Sequence, residues 1–324
     1  MPDIRYLAAS AVAAPLLPLL VLQGRRVRRT TPRLPGAAGP SHGRSGGGTN
    51  LLRLLVVGES TVAGVGAARH DVALTGQIAL ALSESLDCAV EWRAVGANGA
   101  TAACTREELL PVVPAEAVDV VVIALGVNDV LRLHSPTKWR RDLGRLVDSI
   151  RERVGSVPVV VAAMPPIGRF PVLPEPLRSV LGARAAALER ATHVLAREFD
   201  RVMVCTGALE NDERHYCEDR FHPSELGYRD WGRLTATDVA LALKRKPPAT
   251  DAEGPRFLSR HSQQAVDREM QEQVDDQAED EREHELTGTD ARRRQQAAER
   301  REQRQCQGID ETLEAGSFAC SEQF

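Results

Sequence analysis

Between residues 51 and 245 the chain alternates two kinds of apolar pattern. Leu54 to Val57, Val90 to Val95, Val118 to Leu125, Val157 to Ala163 and Val202 to Cys205 are short runs, rich in β-branched residues, with little polar alternation. Such runs suit strands covered on both faces. Thr75 to Leu86, Trp139 to Val154, Leu177 to Phe199 and Ser224 to Leu243 space their apolar positions as helices do. Five strands joined by helical crossovers predict an α/β fold, a three-layer α/β/α sandwich on a five-stranded parallel sheet.

Outside that window the pattern changes. Leu7 to Leu22 reads LAASAVAAPLLPLLVL, with Ser10 as its only polar side chain, and Arg25, Arg26, Arg28, Arg29 and Arg33 follow. At 1.5 Å per residue this run reaches about 24 Å against about 30 Å of hydrocarbon, and Pro15 and Pro18 interrupt it. The reading is a reverse membrane anchor or an interfacial segment; the alternative is a helix packed on the domain. No small-x-small cleavage site follows it. The arginines behind it put the remainder on the cytoplasmic face, with export as the alternative.

Residues 34–50 hold Pro35, Gly36, Gly39, Pro40, Gly43, Gly46, Gly47 and Gly48 and read as a flexible linker. From Asp251 to Phe324 there are 19 acidic and 10 basic residues and few large apolar ones, so a charged, disordered or solvated tail is expected. The expected organisation is an anchor segment with its arginine cluster at 1–33, a linker at 34–50, a catalytic domain at 51–245 and a tail at 246–324 whose partner is unknown.

Composition narrows the function. The 324 residues are 43% hydrophobic and 27% charged, enough apolar material for a sizeable soluble core. Aromatic residues are 4% and the formal charge is −4, which argues against nucleic acid as the partner. The six cysteines are scattered and would stay reduced in a cytoplasmic setting; on export, Cys205 with Cys217 is the first pair to consider. His215 and Cys217 lack metal-ligand spacing, so neither a metal nor another cofactor is expected.

In an open parallel sheet, ligands bind beyond the carboxyl ends of the strands. The first such turn reads Val57-Gly58-Glu59-Ser60-Thr61-Val62-Ala63-Gly64 and offers Ser60 near the start of a helix. Alone, Ser60 could equally be a helix cap. No Gly-x-Ser-x-Gly occurs, and Arg69 stands where a dinucleotide fingerprint after Gly64-Val65-Gly66 wants a small residue. The second strand ends in Gly96-Ala97-Asn98-Gly99-Ala100-Thr101, the third in Gly126-Val127-Asn128-Asp129, and Asp219-Arg220-Phe221-His222-Pro223 stands near the end of the domain.

In that order the four blocks resemble those of the SGNH hydrolases, also called GDSL esterases and lipases, over Leu54 to Leu243. The resemblance implies a flavodoxin-like fold, with Ser60 as nucleophile, Asp219 and His222 completing a triad, and Ser60, Gly99 and Asn128 forming an oxyanion hole. Glu59 departs from the family's Gly-Asp-Ser, and Val62 from its leucine. The chemistry of the residues agrees: a serine hydroxyl needs an imidazole to take its proton, and the imidazole needs a carboxylate to fix its tautomer. Pro223 is expected in the first turn of the following helix.

The expected activity is hydrolysis of a small-molecule carboxylic ester, lipid-like, acyl or acetyl, through an acyl-enzyme. Acyl transfer by the same site and an inactive membrane-tethered scaffold are the alternatives. The stiff apolar loop Met164 to Pro174 could line an acyl pocket through Ile167, Phe170 and Leu173, or simply cover the sheet edge.

Overall fold

The computed structural model describes residues 14–113, 117–207, 209 and 212–245. The tail assigned to 246–324 and the first half of the apolar run lie outside the described residues. A six-stranded sheet, in the order β1-β3-β2-β4-β5-β6, is made by β1 (His42–Ser45), β2 (Leu51–Gly58), β3 (Ala89–Gly96), β4 (Val120–Ala124), β5 (Val159–Val161) and β6 (Val202–Val204). The last five strands pair in parallel, as the β-branched runs predict.

The sixth strand is a correction. β1 pairs antiparallel with β3, His42 opposite Arg93 and Ser45 opposite Val90, inside the stretch expected to be a linker. Gly43 serves close packing and not flexibility. A Cβ on Gly43 would come within 2.6 Å of the Trp92 ring, so the residue that looks like a loosener is the one that lets β1 lie flat on its neighbour.

The helices are α1 (Leu17–Thr30), α2 (Leu74–Leu86), the short α3 (Val127–Leu131), α4 (Pro136–Val154), α5 (Leu177–Glu198) and α6 (Glu225–Lys244). Alternate residues of β2 serve opposite layers. Leu55 and Val57 join a core with Leu143, Leu146 and Leu188 of α4 and α5. Leu54 and Val56 join the core with Ile78, Leu82 and Val239 of α2 and α6. Ser135 caps α4 by accepting from Lys138 N (3.1 Å), and Ser224 caps α6 by accepting from Gly227 N (3.2 Å). Pro223 therefore precedes the cap instead of opening the helix, and it forms an isolated bridge with Tyr216.

From β2 the chain moves outward to β3 and then returns to β4 on the other side of β2. The crevice between β2 and β4 is thus the topological switch point, where doubly wound sheets open to ligands.

α1 carries most of the second half of the apolar run and four of the arginines that follow it. Among the described residues no helix is long and apolar enough to cross a membrane. One stripe of α1 docks on the domain. Leu20 is buried in the core shared with α4 and α5. The Gln23 amide donates to Glu175 O (2.7 Å) and accepts from Leu177 N (3.2 Å) at the start of α5.

Candidate active site

The turn after β2 is fixed from several sides. Glu59 N donates to Ala124 O (3.1 Å) at the end of β4, and Val65 N closes back on Ser60 O (3.0 Å). The buried Tyr228 hydroxyl of α6 donates to Val65 O (2.6 Å). Ser60 sits in this turn and not at a helix start, because α2 begins only at Leu74. The expected helix start at Ser60 is thus absent, and main-chain bonds of the turn place the hydroxyl.

The Ser60 hydroxyl donates to His222 Nε2 at 3.1 Å, although the residues lie 162 positions apart. His222 Nδ1 bonds Asp219 Oδ2 at 2.6 Å. The other carboxylate oxygen accepts from Phe221 N and His222 N, both at 2.9 Å. Burial works to raise the Asp219 pKa, but the bonds from the His222 ring and these two amides outweigh it and leave the group below its ordinary value. A carboxylate can only accept, so Nδ1 carries the ring proton and Nε2 is left to accept from Ser60.

The loop carrying this pair is closed by Cys217 N on His222 O (2.8 Å) and turned at Arg220, whose φ is 57°. The Cys217 thiol donates to Gly66 O and Pro223 O (both 3.2 Å). Burial and the neighbouring Asp219 charge push it up to about 11, so it is no rival nucleophile. Cys205, pushed up to about 12 mainly by burial, is equally inert; Cys88, Cys104, Cys205 and Cys217 are all free.

Asn128 follows β4 across the crevice and is half-buried. Its neighbour in space is Glu59, a residue the sequence flagged only as a departure from the family motif. One Glu59 oxygen accepts from Asn128 N (3.0 Å) and from Asn128 Nδ2 (2.6 Å), and the other from Val127 N (3.2 Å). One amide hydrogen of Asn128 is therefore spent on Glu59, and the second bonds no described residue.

Gly99 follows β3 with φ 83°, and a Cβ there would meet no protein atom within 4 Å. The backbone conformation, not crowding, selects glycine. Arg132 donates to Gly99 O (3.3 Å), and the buried Asp129 accepts from Ala102 N (3.3 Å) and from His134 Nδ1 (2.8 Å), so α3 is stitched to the loop that carries Gly99. The bonds to Gly99 and Ala102 span 33 and 27 positions, and no local pattern announces them.

Ile167, Phe170 and Leu173 do not line an open pocket. They are 1%, 2% and 4% exposed and belong to the core. The apolar loop covers the sheet edge, and its contribution to the site is indirect. Phe170 packs edge-on against Phe221 (centroids 5.0 Å), which packs edge-on against the His222 ring (5.0 Å). A cavity of about 370 Å³ lined by His42, Arg44, Arg53, Glu91, Trp92 and Arg93 touches none of the five residues read from the motifs.

Glu59 is buried, and desolvation raises its pKa to about 8 against the main-chain and side-chain bonds from Asn128 and Val127. The folded value exceeds the ordinary 4.5, so the folded state holds a proton that the unfolded chain releases. The associated stability is complete below about pH 4.5 and is lost as pH rises through about 8. Melting temperature should therefore fall over that window in the wild type and fall less in Glu59→Gln. The variant should also be less stable overall, because its NH2 cannot accept from the amide it faces, at a cost of about 1–3 kcal/mol. Parallel melting curves against pH would remove Glu59 as the titrating group.

A hydroxyl, an imidazole and a carboxylate are thus bonded in series at the switch point of a doubly wound sheet. The chain belongs to the GDSL-like lipase/acylhydrolase family, whose profile matches residues 56–229, more than half its length. It is an ester-hydrolysing enzyme of the SGNH kind.

No curated protein matches the chain in sequence. Among solved structures, a family 3 carbohydrate esterase of Clostridium thermocellum is 18% identical, with a TM-score of 0.48 over 60% of this chain and 100% of its own. The lipase Lip_vut3 from a goat rumen metagenome is 17% identical, with a TM-score of 0.47 over 59% of this chain and 97% of its own. A carbohydrate acetylesterase family member of Sinorhizobium meliloti is 21% identical, with a TM-score of 0.45 over 60% and 100%. At these values the substrates in those names stay with those proteins.

Proposed function

We propose that this enzyme hydrolyses a carboxylic ester through an acyl-enzyme on Ser60. The observation that carries the reading is the hydrogen-bond series from Ser60 Oγ to His222 Nε2 (3.1 Å) and from His222 Nδ1 to Asp219 (2.6 Å). His222 takes the hydroxyl proton as Oγ attacks the carbonyl carbon, and the resulting oxyanion is met by the Ser60 and Gly99 N–H groups and the free Asn128 amide hydrogen. The alkoxide leaves with the proton held on His222. Water, deprotonated by the same imidazole, then attacks the acyl carbon; the acid departs and Oγ regains its proton.

A fluorophosphonate probe tests the nucleophile directly. Wild-type protein should be labelled on Ser60 and should turn over p-nitrophenyl acetate. Ser60→Ala should do neither, with its melting temperature close to wild type. Equal labelling of both proteins would sink the proposal.

A further inference from the structure

α1 is apolar at one end and basic at the other. Leu17, Leu19 and Leu22 are 55%, 44% and 64% exposed, and Leu16 and Val21 are exposed beside them. Arg25, Arg26, Arg28 and Arg29, one turn further on, are exposed as well. Only the stripe with Leu20, Gln23 and Val27 faces the domain. An apolar patch of this kind is costly in water, and a ring of cations directly behind it is the arrangement that inserts into the acyl boundary while meeting phosphates at the headgroups. The nine apolar residues among Leu7 to Leu16 continue the same character upstream.

The docking point of α1 also sets an orientation. Gln23 binds the start of α5. α5 is the crossover between parallel strands β5 and β6, so its start lies at the carboxyl edge of the sheet. Ser60 and Asn128 follow β2 and β4 at that same edge. The loop that leads into α5 carries Phe170, which reaches His222 through Phe221.

We propose that α1 seats the protein on an anionic lipid surface, with Leu19 and Leu22 in the acyl boundary, the arginines at the phosphates and the catalytic edge of the sheet turned towards the bilayer. Neither signal suffices alone: a short apolar insertion binds reversibly, and it becomes stable when a basic cluster accompanies it. The corollary for substrate, an ester carried by an amphiphile in that surface, rests on the Ser60 esterase reading; the lipid binding itself does not.

Full-length protein should co-sediment with phosphatidylcholine vesicles containing phosphatidylglycerol, and far less with phosphatidylcholine alone. Each arginine near such a surface is worth roughly fivefold in partitioning, so replacing Arg25, Arg26, Arg28 and Arg29 by Gln should weaken binding by roughly two to three orders of magnitude. Leu19→Asp with Leu22→Asp alters only exposed side chains. It should release the protein from vesicles and abolish hydrolysis of a vesicle-embedded ester, while hydrolysis of soluble p-nitrophenyl acetate persists.

No sedimentation with either vesicle, or sedimentation indifferent to both sets of substitutions, would overturn the proposal. So would a solution mass twice the monomer's that these leucine substitutions return to one, since the face would then belong to a second copy. If p-nitrophenyl acetate is not hydrolysed at all, the esterase reading fails while sedimentation still decides the lipid surface.

Discussion

Asp219→Asn should lower kcat for p-nitrophenyl acetate about ten-thousandfold and leave KM nearly unchanged, the size of loss expected when a triad carboxylate becomes an amide. The geometry explains why an isosteric change costs so much. Asp219 Oδ1 is claimed by two main-chain donors, Phe221 N and His222 N. An asparagine would keep its carbonyl oxygen there and turn its NH2 towards His222 Nδ1. That nitrogen would then have to accept, the ring proton would move to Nε2, and Nε2 could no longer accept from Ser60. Because the two amide bonds survive, the loop should hold its shape, so a normal melting curve with collapsed kcat is the expected pair of results. Activity within tenfold of wild type would exclude Asp219 from the proton path.

Asp219 and His222 were legible in the sequence because their contact is local: three residues apart, the carboxylate needs only a tight turn to reach the ring. Ser60 was legible from its place after a β-branched run. The strands themselves were legible because a sheet covered on both faces leaves no polar alternation, and Val120 to Ala124 is buried at every position. What stayed hidden depends on which strands become neighbours. The bond from Glu59 to Asn128 requires β2 to lie beside β4, and β1 requires Gly43 to meet Trp92. Apolarity also does not say which way a side chain faces, so the sequence left Phe170 between pocket wall and cover for the sheet edge, and it packs behind Phe221.

Asn128→Ala should cost about 10²–10³ in kcat, again with little change in KM, since an oxyanion donor acts on charge that exists only in the transition state. The fold should tolerate the change. Glu59 would still accept from Val127 N and from the main chain of residue 128, and only the side-chain bond of 2.6 Å is removed. Asn128→Asp separates donation from shape, because it keeps the size of the side chain while removing the amide hydrogens. It should lose at least as much activity as the alanine variant, because the replacement offers an acceptor where the amide offered a donor. If Asn128→Ala retained kcat within a few-fold of wild type, the amide would be only a strut for the Glu59 turn, and the oxyanion would be left to the main-chain donors of Ser60 and Gly99.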